Sequence, residues 1–101
     1  MKRRVIKIPN SLKEHRKLMG YSQSGVMRKL KLKSTAMISR WEKGEIMPSS
    51  DNLLKLSLLY KTLVNELYFE RGKELLIELF PDEAERLKEN LKRDLPTDRA
   101  P

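Results

Sequence analysis

The sequence predicts an all-α fold. Apolar residues recur at spacings of three and four along several short stretches. Ser, Asn, Gly and Pro punctuate those stretches where helices start and stop. Each stretch is too short to be stable alone in water, so the helices must share one core. At 101 residues the chain is one small domain by length, with little interior left for a substrate cavity.

The opening residues Lys2, Arg3, Arg4, Val5, Ile6, Lys7 and Ile8 end at Pro9, and residues 1–9 read as a basic N-terminal arm. Asn10 or Ser11 can cap a first helix from Leu12 to Met19, because either side chain accepts from the unpaired N–H groups of a first turn. Gly20 ends it in the left-handed conformation. Ser22 caps a second helix with Val26, Met27 and Leu30 as its buried stripe, and Gly25 weakens that helix by about 1 kcal/mol relative to alanine. Ser34 can cap a third helix, whose apolar residues Met37, Ile38 and Trp41 cluster and whose stop signal is Gly44. Pro48, Ser49 and Ser50 start a fourth. Its leucines, Leu53, Leu54, Leu56, Leu58 and Leu59, are too many for one stripe and predict a helix largely enclosed by others. A short fifth helix runs through Val64 to Phe69. Gly72 separates this block from an amphipathic tail, in which Leu75, Leu76, Ile77, Leu79 and Phe80 precede a helix opened by Pro81 and striped by Ala84, Leu87 and Leu91. The expected divisions are residues 10–69 as the domain, 70–95 as the tail, and 96–101 as a frayed, disordered end.

Charge is segregated along this chain. Residues 1–48 carry thirteen basic and three acidic side chains, whereas residues 49–101 carry nine and eleven, so the N-terminal half holds the whole basic excess. Such a field draws the protein toward polyanions without choosing among them. Cysteine is absent and His15 is the only imidazole. Metal and nucleophilic chemistry therefore lack ligands, no cofactor is expected, and His15 reads as a surface or packing residue. The carboxylates Glu70, Glu74 and Glu78 follow the i, i+4 spacing of a solvated helix face rather than a catalytic pair. An enzyme is not expected. The longest apolar runs are too short to span a bilayer and the basic start leads into no signal-peptide core, so the expectation is a cytoplasmic protein.

Two short helices joined tightly, from Ser22 to Leu30 and from Ser34 to Gly44, have the spacing of a helix-turn-helix. The strings Gly20-Tyr21-Ser22-Gln23, Ile38-Ser39-Arg40-Trp41-Glu42-Lys43-Gly44 and Pro48-Ser49 resemble the signatures of Xre/Cro-type phage-repressor DNA-binding domains. Leu67-Tyr68 is similar to the pair that closes the fifth helix in that family, so the resemblance spans about residues 12 to 69. It implies a five-helix, lambda-repressor-like domain, here with an additional helical tail. The chain departs from the common pattern in a turn one residue longer, in Lys31 where glycine is usual, and in Met27 where a small alanine is usual.

The third helix can also be read by periodicity alone. With Met37, Ile38 and Trp41 turned inward, Ala36, Ser39, Arg40 and Lys43 lie on the opposite, small and basic side, which suits the major groove of a DNA duplex. Arg40 is the leading base-reading candidate, through guanine O6 and N7. Lys33, Ser34 and Thr35 lie at the N-terminal end of the helix, which in this motif points into the groove, and the reading helix spans about 34–43. The resemblance implies a phosphate contact for Gln23 at the start of the second helix. It also implies a structural salt bridge between Arg16 and Glu42, with Ile38 and Trp41 in the core. Lys43, Lys29 and Lys31 would position the domain on the phosphate backbone. The expected function is a sequence-specific transcriptional regulator, a repressor occupying double-stranded DNA as a homodimer on a two-fold operator, paired through the tail or the fifth helix. The rival expectation is an antitoxin-like or adaptor module whose acidic tail binds a partner protein.

Overall fold

In the computed structural model, residues 7–93 are described, with side chains to residue 90. The expectations for residues 1–6 and 96–101, and for the Leu91 side chain, lie outside them. All regular structure in this span is helical: α1 (Leu12–Leu18), α2 (Gln23–Leu30), α3 (Ala36–Lys43), α4 (Ser50–Tyr60), α5 (Val64–Leu67), α6 (Phe69–Leu79) and α7 (Pro81–Arg93). The chain divides into two compact units, Met1–Arg71 and Gly72–Pro101.

The first unit is built around Leu12, Val26, Leu30, Ile38, Trp41, Leu56, Tyr60, Leu67 and Tyr68, all buried. Every one of α1 to α5 contributes to that cluster, which is how helices of four to eleven residues become stable together. Helix starts follow their side-chain chemistry. Ser22 accepts from the Gly25 N–H at 3.0 Å and Ser49 from the Asn52 N–H at 3.3 Å. At α1 the Asn10 side-chain oxygen Oδ1 accepts from the Leu12 N–H at 3.0 Å, while the neighbouring Ser11 hydroxyl instead donates to the Glu66 backbone carbonyl, also at 3.0 Å. The third helix begins at Ala36, later than the expected span 34–43, because Thr35 is the N-cap residue and Ser34 caps from outside, accepting from the Ala36 N–H at 3.3 Å.

Five connecting residues, 31–35, separate α2 from α3. Lys31 ends α2 with φ 60°, the left-handed conformation that glycine adopts without strain, so lysine here carries the steric cost of its Cβ.

Several expectations need correction. Met37 is 41% exposed rather than core, because the buried arc of α3 centres on Ile38 and Trp41 and turns toward the Glu42 side chain, leaving Met37 at its edge. Helix α4 is not enclosed: Leu56 and Tyr60 are buried and Leu53 and Leu59 partly so, but Leu54 and Leu58 face solvent. At Gly72, where the second unit begins, no helix ends: α6 runs through it. The fifth helix also ends at Leu67, not Phe69, and buries Tyr68 beyond its end.

Gly44 does two things at once. It terminates α3 with φ 78°, and its missing side chain admits the arm: a Cβ there would meet the Ile8 carbonyl oxygen at 2.4 Å. The Ile8 N–H donates to the Gly44 carbonyl at 2.8 Å. Gly20 has a similar φ of 82° but nothing within 4 Å of a Cβ. Gly20→Ala should therefore cost only the left-handed strain, about 1–2 kcal/mol, and Gly44→Ala clearly more, in urea unfolding of the two variants side by side. The buried Tyr68 hydroxyl has no hydrogen-bond partner, and burial pushes its phenol up to about 12. The unfolded chain ionises this group first, near pH 10, so wild-type stability should fall as pH rises from there through the folded value. Tyr68→Phe should gain about 1 kcal/mol at neutral pH and lose less stability over that alkaline range.

Candidate nucleic-acid interface

The orientation of α3 is set by one carboxylate. Glu42, its side chain 5% exposed, receives Arg16 of α1 in a two-pronged contact, Nε to Oε2 at 2.6 Å and Nη2 to Oε1 at 3.1 Å. The Gln23 amide of α2 donates to the same Oε1 at 3.1 Å. Arg16 Nη1 donates to the Tyr21 carbonyl at 2.9 Å, so the guanidinium also closes the turn between α1 and α2. The hydrogen bond to Glu42 chiefly, and its charge in addition, hold the guanidinium pKa above its ordinary value against the opposing effect of burial. Nearby Tyr60 is driven well above the usual phenol value by burial first and the Glu42 charge second, while Arg16 pulls the other way. This paired ion cluster gives α3 one seat in the domain.

The same C-terminal turn of the helix is also tied by Asn10. Its amide nitrogen donates to the Trp41 carbonyl at 3.2 Å and the Glu42 carbonyl at 3.4 Å, two of the terminal carbonyls that a helix leaves open, and to Ile8 at 3.0 Å. Sequence reasoning read Asn10 only as a cap and missed this contact. Residues thirty apart carry no periodic signal, and the visible hint was only that Asn follows a Pro at the start of the domain.

Inward anchoring turns the other side of α3 outward. Ala36, Arg40 and Lys43 are exposed and Ser39 is half-exposed; Lys33 and Ser34 are exposed just ahead of the helix, with Thr35 half-buried among them. These residues thus share one side and one end of α3, whereas Ile38 and Trp41 are buried. Lys29 and Lys31 are exposed at the end of α2. Gln23 stands apart from the α3 face, half-buried against Glu42. Arg40 is 60% exposed, with Glu45 at 3.6 Å as its acidic neighbour; an exposed pair of this kind contributes little to stability and leaves the guanidinium able to change partners. The second residue that the sequence misplaced is Met37, which lies on the rim of this same face.

His15 is half-buried and its Nδ1 sits 2.9 Å from the Ser11 carbonyl, an ordinary packing contact. Among the described residues no group of three or more His, Cys, Asp or Glu side chains could hold a metal ion, and no helix is long and apolar enough to cross a membrane.

Residues 12–67 match a family model described as helix-turn-helix, more than half of the chain. Neither the curated proteins nor the solved structures include a match.

The Glu42 cluster makes a quantitative prediction. Arg16→Ala or Glu42→Ala alone strands a desolvated charge and should cost about 3–5 kcal/mol. Gln23→Ala removes one hydrogen bond to a charge that keeps its arginine and should cost about 1 kcal/mol. Chemical denaturation of the three variants checks the order.

Proposed function

The chain belongs to the helix-turn-helix family of Xre/Cro type, whose members are DNA-binding regulators, and on that premise we propose that it is a sequence-specific repressor that occupies a two-fold operator as a homodimer in the cytoplasm. The observation that carries the proposal is the outward face of α3, small and basic, on a helix whose last turn is held by the Arg16–Glu42 contact and by the Asn10 amide. Arg40 reads a guanine, and Thr35, Ala36 and Ser39 line the approach to the bases. Lys33, Ser34 and Lys43 with Lys29 and Lys31 hold the phosphates. Gln23 adds a phosphate contact through the part of its amide that Glu42 does not use.

A single domain covers only a few base pairs, so two copies spaced by about one helical turn, roughly 34–36 Å, supply the length of site that specificity needs. In the second unit Ile77, Leu79, Phe80 and Leu87 are each about half exposed or more, which supports a pairing role for the tail. The same surface supports the rival reading, an antitoxin-like or adaptor module whose tail holds a different protein.

Selection of bound sequences from a random DNA pool, followed by footprinting and mass measurement of the complex, tests this directly. The expected result is a two-fold site protected by two chains. A chain showing no preference over bulk DNA at physiological salt overturns the proposal, and a single chain on each site with a foreign protein on its tail favours the rival. On the selected site, Arg40→Ala should cost about 1–3 kcal/mol and relax the choice at one base pair in each half, whereas Lys43→Ala should weaken all sequences alike and reduce the salt slope by about one.

A further inference from the structure

Met37 is the one large apolar side chain of α3 that the core does not bury. It stands in the first turn of α3, 41% exposed, and is not among the side chains packed against the core. Its exposed part, beside Arg40 and Ala36, is apolar surface that the fold leaves in water. Helix geometry places Met37 and Arg40, three residues apart, as neighbours on the surface. Ala36 beside them is exposed and small, so Met37 lies on the rim of the face that carries Arg40.

The floor of the major groove offers one apolar group, the methyl at C5 of a pyrimidine: that of thymine, or of cytosine when it is methylated. Methionine is unbranched and polarisable and adapts to such a target without fixed geometry. Three residues of helix advance about 4.5 Å, comparable with the base spacing of about 3.4 Å along one strand. From this we infer that Met37 is a specificity-determining residue that selects a C5-methylated pyrimidine one base step from the base met by Arg40. The inference rests on the proposed DNA reading and adds to it a discrimination that the charged residues of the α3 face do not supply.

The test uses the full chain and the DNA site that it selects from a random pool. At the base pair next to the Arg40-dependent position, four duplexes carry thymine, uracil, cytosine or 5-methylcytosine. Uracil differs from thymine only in lacking the methyl, and a buried methyl is worth about fourfold in affinity. The wild-type chain should bind the thymine duplex about fourfold more tightly per half-site than the uracil duplex. Met37→Ala should bind the two equally, and Met37→Leu, which keeps an apolar contact, should retain the difference. Equal melting temperatures for the three chains are expected from an exposed position and separate contact from folding. If 5-methylcytosine also outbinds cytosine, any C5-methyl serves; if it does not, the target is thymine itself, and either result supports the inference. An unchanged thymine-to-uracil difference in Met37→Ala overturns it while leaving the regulator reading intact. A wild-type chain that selects no sequence overturns both.

Discussion

The buried contact between Arg16 and Glu42 is the constraint on which the geometry of the first unit depends. Three helices meet at one carboxylate: α1 through the guanidinium, α2 through the Gln23 amide, and α3 through Glu42 itself. Apolar packing alone would hold Ile38 and Trp41 inward, yet greasy surfaces are tolerant of small rotations and slides. A two-pronged ionic contact is directional. It converts an approximate seat for α3 into a defined one, and the face carrying Arg40 inherits that definition. The fourth donor contact, from Arg16 to the Tyr21 carbonyl, places the start of α2 in the same frame.

Much of this could be read from the residues in order. Ser22, Ser49 and Gly44 act at the helix ends as their chemistry requires, and Val26, Leu30, Ile38 and Trp41 occupy the core as their spacing requires. What escaped was decided by relations that a one-dimensional pattern does not contain. Met37 and Ile38 are equally apolar neighbours, and which of them is buried follows from the rotation of α3 that the Glu42 contact imposes. Leu54 and Leu58 look like core in a leucine-rich run, but five short helices offer too little surface to cover a helix on every side. Gly72 lowers helix propensity without forbidding a helix, and the strong formers Glu70, Lys73, Glu74 and Leu75 around it carry α6 through. Of the candidate interface, the grouping of Ala36, Ser39, Arg40 and Lys43 was legible from periodicity, while the Asn10 contact across thirty residues was not.

Rigidity of α3 is also what gives its exposed residues meaning. On the proposed DNA reading, a loosely held α3 could present Arg40 to several bases in turn, and discrimination would average away. Here the Glu42 cluster anchors the inward side, and Asn10 with Ile8 and Gly44 anchors the C-terminal end. The arm residues just ahead of α1 are thereby structural members of the domain. Polar groups that in isolation would disfavour burial are here each other's partners, which makes the burial tolerable and the arrangement specific.

The Ser11 contacts carry a consequence for synthesis. Its N–H donates to the Leu67 carbonyl at 2.9 Å and its hydroxyl to the Glu66 carbonyl at 3.0 Å, so the start of α1 is stitched to the end of α5. On the ribosome α1 emerges first and waits for that partner, because the stretch from 11 to 67 closes only when its last turn has left the exit tunnel. Until then the nascent chain holds Leu12 without the cover that Leu67 completes. The domain is therefore committed late and as a whole, and a chain halted before Leu67 leaves behind a fragment with its apolar interior open, a natural target for chaperones and proteases.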